Sequence, residues 1–124
     1  MSANTAQFKT HKFLNLETVR KSGVTVATPV WFVEHDGKFY VRTVSDAGKV
    51  KRIRNNGQVR IMPCGQRGEP KGEWIEATAR LNSAEEDIQI NGWFQARFGL
   101  AKRIFDFVNA LRRTKWQAIE IVPG

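Results

Sequence analysis

Residues 24–54 read VTVATPVWFVEHDGKFYVRTVSDAGKVKRIR, and the parsing of this stretch decides the fold. Val24, Val26, Thr28, Val30 and Phe32 alternate with Thr25, Ala27, Pro29, Trp31 and Val33, the period of a β-strand over residues 24–34. Both sets are largely apolar, so the strand is expected to be central to the packing. Pro29 has no N–H for a ladder, which makes this point an edge, a bulge or an opening in the sheet. His35-Asp36-Gly37 is a hairpin turn, because glycine supplies the positive φ that tight turns require. Residues 39–43 return antiparallel, with Phe39, Val41 and Thr43 on one face and Tyr40 and Arg42 on the other. Ser45 and Asp46 are placed to cap a short helix over residues 47–54, where Val50 and Ile53 form a narrow apolar stripe. Four of the six residues 49–54 are cations.

Outward from this stretch, residues 1–9 read as an exposed arm. Residues 13–20 alternate as a strand, and Lys21-Ser22-Gly23 is a turn. Asn55-Asn56-Gly57 suits a left-handed helix cap. Residues 58–64 form the next strand, 65–72 a glycine-rich loop, and 73–81 a strand with Ile75, Ala77, Ala79 and Leu81 inward. Ser83 and Glu86 make a capping box that opens the longest helical segment. Ile90, Phe94, Phe98, Ala101, Phe105 and Val108 fall on one of its faces, and Gly99 is placed to divide it in two. Residues 112–115 are a basic connection, and 116–122 are a last strand. The expectation is one α+β domain over residues 1–124: a six-stranded antiparallel meander closing into a small β-barrel, with flanking helices.

At 124 residues and 41% apolar content the chain can bury a core without disulfide or metal staples. Its single cysteine, Cys64, has no internal disulfide partner and no metal-ligand neighbours, which fits a reducing cytoplasm. The first residues lack the apolar core of a signal peptide, and no apolar run is long enough to span a bilayer. The net charge of +8 is compatible with nucleic acid, an acidic membrane surface or a small polyanionic ligand.

No nucleophile–base arrangement is visible. His11 and His35 lie in polar surroundings without an orienting partner, Cys64 reads as a buried inert thiol, and Glu85, Glu86 and Asp87 suit the first turn of a helix. No metal ligand set is present. What the residues support is an anion site beside a planar group. Thr28, Thr43 and Ser45 offer hydroxyls near Lys49, Lys51 and Arg52, backbone amides open the helix after Ser45, and Trp31 and Tyr40 are candidates to line a flat cavity. The alternative for each is ordinary: a solvated basic helix face and a core tryptophan. Nucleic acid is disfavoured because the aromatics fall at core positions rather than beside the cations.

The run ATPVWFVEHDGKFYVRTVSDAGKVKRIRNNGQVRIMPC, followed by GEWIEATARL, resembles the pyridoxamine 5'-phosphate oxidase-related FMN-binding split-barrel superfamily. Within it the chain is most similar to the branch of small proteins that use the deazaflavin coenzyme F420, through T-P-V-W-F, Y-V-R-T and G-K-V-K-R-I in order. The resemblance spans residues 13–81, with a weaker match in the last strand. It implies a homodimer with the cofactor ring at the subunit interface. The phosphate would lie against Thr43, Ser45 and Lys49 with Lys51 close by, and Thr28, Pro29, Val30 and Trp31 would lie beside the ring or its ribityl chain. The chain departs from the oxidase proper in two places. Its loop reads S-D-A-G-K instead of S-R-K, and the terminal R-x-x-P-type substrate pattern is absent, which argues against pyridoxamine phosphate as substrate.

The resemblance thus implies an oxidoreductase that passes a hydride between coenzyme F420 or FMN and a small organic acceptor. The alternative is a flavin- or deazaflavin-binding carrier or sensor without turnover. In either case the cofactor carries the hard chemistry, so a missing catalytic residue is expected. The cations also find a use, since the deazaflavin coenzyme bears a phosphate and a polyglutamate tail. The helices over residues 90–111 are placed to cover the cavity or the dimer interface.

Overall fold

Phe32 is where the expected arrangement changes. In the computed structural model Phe32 is 1% exposed, and its ring packs against both Phe8 and Phe39 in a three-ring cluster. Burying that ring turns the backbone out of the ladder, and the Phe32 N–H donates to the Lys12 carbonyl at 3.2 Å. The expected strand 24–34 is therefore two strands, β2 (Thr25–Trp31) and β3 (Val33–His35). β2 pairs with β1 (Phe13–Val19), Trp31 opposite Phe13, whereas β3 pairs with β4 (Lys38–Val44), Val33 opposite Tyr40.

The structure describes residues 5–111 and 115–124. The start of the expected N-terminal arm (1–4) and most of the basic connection (112–114) lie outside the described residues. After β4 come α1 (Gly48–Asn55), β5 (Gln58–Cys64), β6 (Ile75–Leu81), α2 (Ala84–Leu111) and β7 (Trp116–Pro123). The strands form one seven-stranded antiparallel sheet in the order β2-β1-β5-β6-β7-β4-β3. This is not a meander of six strands, because β4 pairs with β7 and β1 with β5 across long stretches of chain. β2 and β3 are the two opposite edges of the sheet, yet they are joined through Phe32. That connection requires the sheet to curl until its edges approach, and the result is a split barrel with flanking helices.

Alternate positions fill the barrel: Leu14 and Leu16, Phe39 and Val41, Val59 and Ile61, Ala77 and Ala79, Ile119 and Ile121 all belong to one buried cluster. Phe8 joins them from a single 3-10 turn (Ala6–Phe8), so this part of the expected exposed arm is pinned to the core through Phe8 while Ala6 and Lys9 beside it stay exposed. The Asp36–Gly37 turn has the two positive φ values, 52° and 76°, that a two-residue hairpin needs. β2 is an edge strand with an exposed outer face, not a central one, which is how Pro29 is tolerated.

Helix ends differ from expectation in two places. Ala47, extended at φ −62°, ψ 148°, takes the N-cap position of α1 without a side-chain bond. Ser45 is held one step earlier, its N–H donating to the Lys115 carbonyl at 2.9 Å and prolonging the β4–β7 ladder. At the other end Asn56 is extended, not left-handed, and its side chain accepts the Gln58 N–H at 3.0 Å. The capping box forms as expected. The Glu86 N–H donates to Ser83 Oγ at 3.1 Å, and the Ser83 N–H donates to Glu86 Oε1 at 2.9 Å. Gly99 interrupts α2 at φ 55°, ψ −124°. Before this kink Ile90 and Phe94 pack on Val33, Tyr40 and Ala118, a second buried cluster on the outside of the barrel.

Candidate functional site

β3 pairs with β4 only as far as Tyr40, so the edge of β4 from Arg42 to Val44 has no β3 neighbour and faces the end of β2. A cavity of about 310 Å³ occupies this split. Phe13, Pro29, Val30 and Trp31 form one wall, with Arg42, Thr43, Val44 and Trp116 opposite. Six of these eight side chains are apolar, and two are tryptophans. That is the composition of a site for a flat conjugated group with a few oriented polar contacts.

The walls are held from outside by α2. Trp31 stacks on Phe98, ring centroids 4.6 Å apart and planes 9° apart. Arg42 Nε and Nη2 donate to Asp87 at 2.8 and 3.0 Å, Nη1 donates to Asn91 Oδ1 at 2.9 Å, and the guanidinium lies 5.3 Å from the Trp116 ring centroid. The sequence places Arg42 with Tyr40 on one face of β4 and Asp87 in a first helical turn. What it could not give is that they meet, because that depends on α2 crossing the β4–β7 ladder.

Of the residues singled out from sequence, Pro29, Val30, Trp31 and Thr43 are brought together in the cavity wall. Lys49 reaches toward it from α1, its Nζ donating to Thr43 Oγ1 at 3.5 Å. Burial, reinforced by the nearby Arg52 charge, holds the Lys49 ammonium below the usual lysine pKa. Thr28, Ser45 and Lys51 do not line the cavity. Ser45 is half-buried at the end of β4, and Lys51 is exposed on α1. Thr28 points its hydroxyl oxygen into the protein, where it has no hydrogen-bond partner among the described residues.

Tyr40 does not line the cavity as expected. It packs against Trp93 at 5.0 Å and donates to Glu120 Oε1 at 3.2 Å, and burial followed by the Glu120 charge pushes its phenol pKa upward. Phe13, Arg42, Val44 and Trp116 escaped the sequence reading. Their signal lies in register alone, since Phe13 pairs with Trp31 and Val44 with Trp116.

Cys64 is buried, and desolvation with the Glu69 charge raises its thiol to about 11. His35 is exposed and stacked on Trp93 at 4.0 Å. Among the described residues no three His, Cys, Asp or Glu side chains are grouped to hold a metal ion, and no helix is long and apolar enough to cross a membrane.

An isoalloxazine-type cofactor fits the donors present. The cavity has the aromatic and prolyl walls its ring needs, and Lys49 stands at the Thr43 end with a desolvated charge suited to phosphate.

The family model for pyridoxamine 5'-phosphate oxidase matches residues 1–115. No curated protein matches the chain. Among solved structures, a heme storage protein from Vibrio cholerae is similar at 20% identity and TM-score 0.72, over 96% of this chain and 86% of the other. A conserved hypothetical protein from Mycobacterium tuberculosis is similar at 16% identity and TM-score 0.71, over 99% and 81%. A FAD-binding protein from Mesorhizobium loti is similar at 14% identity and TM-score 0.64, over 96% and 84%. At these identities the likeness is one of fold.

Proposed function

The chain belongs to the pyridoxamine 5'-phosphate oxidase family, and from that premise we propose that it is a cofactor-binding oxidoreductase. It holds FMN or the deazaflavin coenzyme F420 and passes a hydride between that cofactor and a small organic acceptor. The observation that carries this reading is the cavity in the barrel split, walled by Pro29, Val30, Trp31 and Trp116 and ending at Thr43 with Lys49 behind it. When bound, the cofactor supplies the hydride chemistry.

The protein's own groups do the rest. Trp31, fixed by its stack on Phe98, and Trp116, beneath the Arg42 guanidinium, give the cavity rigid aromatic walls against which a planar group can rest. Lys49 and Thr43 anchor a phosphate, Ser45 and Lys51 follow Thr43 and Lys49 on the same β4–α1 corner, and Thr28, next to Pro29, bonds the ring or its chain once its hydroxyl turns toward the cavity. The net charge of +8 favours the more anionic deazaflavin coenzyme over FMN. A homodimer completes the site by covering the open side of the split, and Cys64 suits a cytoplasmic setting.

Titration of the purified protein with each cofactor, followed by calorimetry, tests the reading. Micromolar binding of one of them is expected, and failure of both to bind at that concentration overturns it. Binding without turnover is the second reading, favoured by the absence of any acid–base pair among the described cavity residues. A bound, reduced cofactor that never re-oxidises with quinones, enones or nitro compounds would establish it.

A further inference from the structure

Behind the main cavity lies a small recess of about 40 Å³ that shares Trp31, Arg42 and Trp116 with it and adds Phe94, Lys102 and Asp106. Lys102 belongs to α2 beyond the Gly99 kink, and it is 3% exposed, an uncommon position for an ammonium. Its Nζ contacts Asp106 and donates to Gln95 Oε1 at 3.5 Å. Among the described residues these are its partners, so the three-donor ammonium has one N–H left over.

The other cation of the recess, Arg42, is engaged with Asp87 and Asn91. Arg42 is thereby committed to holding α2. Lys102 is the buried donor still available in the recess, which adjoins the cavity along Trp31, Arg42 and Trp116. A recess of this size takes a group of two or three heavy atoms.

We propose that Lys102, oriented by Asp106, is a specificity-determining residue that binds the carboxylate of an aromatic or conjugated acid lying across Trp31 and Trp116. The proposal rests on the cavity being the substrate and cofactor site, and it names the substrate class: planar carboxylates in preference to their neutral amides. A neutral isostere leaves the third N–H of Lys102 desolvated without a charged acceptor, which is the penalty that generates selectivity.

The test is calorimetric and needs no turnover. Benzoate and benzamide are titrated into the whole protein, first without cofactor and then with whichever of FMN or coenzyme F420 binds. Benzoate is expected to bind at least about tenfold more tightly, and Lys102→Gln is expected to abolish that preference while cofactor affinity stays within about twofold. Lys102→Arg should restore part of the preference, which a purely structural role would not predict. Equal binding of the two probes by the unmodified protein overturns the proposal whether or not any variant folds. So does a preference that survives in a folded Lys102→Gln protein. Failure of both cofactors to bind, with benzoate selectivity intact, would overturn the cofactor reading and leave Lys102 as an acid-binding residue.

Discussion

Trp31 and Phe98 lie face to face, 4.6 Å between ring centroids, so the last residue of an edge strand is clamped by the residue just before the break in α2. The clamp makes the cavity wall depend on the helix. Phe98→Ala should destabilise the protein by about 1–3 kcal/mol, less than a fully buried phenylalanine because Phe98 is half-buried. Urea unfolding reads this loss. Cofactor affinity should fall with it, whereas Phe98→Leu keeps the bulk and should retain most of both.

The Arg42–Asp87 pair secures the first half of α2 on the same barrel face. Its side chains are 11% and 22% exposed, so removal of one partner strands a desolvated charge. Asp87→Ala should cost about 2–4 kcal/mol, somewhat less than a fully buried pair. Hydrogen exchange should localise the loss to the helix before Gly99 while the barrel ladders stay protected. Uniform loss of protection would show that the helix and the barrel unfold as one unit.

How much of this was legible in the sequence follows from the range of each interaction. The hairpin at Asp36–Gly37, the Ser83–Glu86 box, the break at Gly99 and the alternation of Ile75 to Leu81 are local, and residue types fix them. Phe32 defeats the strand reading because the alternation continues through it without a Pro or Gly to mark the turn. Only its burial against Phe8 and Phe39 shows why the backbone leaves the sheet. The cavity is half legible for the same reason. Pro29, Val30, Trp31 and Thr43 belong to the motif stretch, whereas Phe13, Arg42, Val44 and Trp116 arrive through pairings with residues far along the chain.

Cys64 should behave as an inert thiol. Its pKa of about 11, against 9.0 for a free cysteine, lowers the thiolate fraction about 100-fold at neutral pH. Alkylation by iodoacetamide at pH 8 should therefore be at least about 100-fold slower in the native protein than in urea. The linkage sign follows from the raised value. Below pH 9 both states keep the proton and the stabilisation is fully present. As pH climbs from there to about 11 the unfolded chain releases the proton first, so stability is lost across that window. Cys64→Ala should flatten that part of the pH–stability curve.

Lys49 has the opposite linkage. Burial, then Arg52, lowers its pKa, so between that lowered value and the ordinary 10.5 the unfolded chain holds more protons and stability rises with pH. A phosphate placed on Lys49 restores its charge. Cofactor binding at alkaline pH should accordingly take up a proton, visible as a dependence of the calorimetric enthalpy on buffer ionisation heat. Lys49→Ala should remove the uptake and weaken binding by about 1.5–3 kcal/mol, the scale of a hydrogen bond to a charged group. An unchanged affinity would place the phosphate elsewhere.

Thr28 separates stability from function most directly. Its Oγ1 is buried and unpartnered among the described residues, a desolvation cost the free protein bears with no compensating bond. Thr28→Val keeps the shape and the β-branching that suits β2, and removes only that oxygen. The cofactor-free protein should become more stable by about 0.5–1.5 kcal/mol, read from the denaturation midpoint. Cofactor affinity should fall by a similar amount, because the bond that justifies the buried oxygen forms only in the complex. A variant that is stabilised with affinity unchanged would show that the oxygen serves neither state, and would move the ring contact from Thr28 to the wall formed by Pro29, Val30 and Trp31.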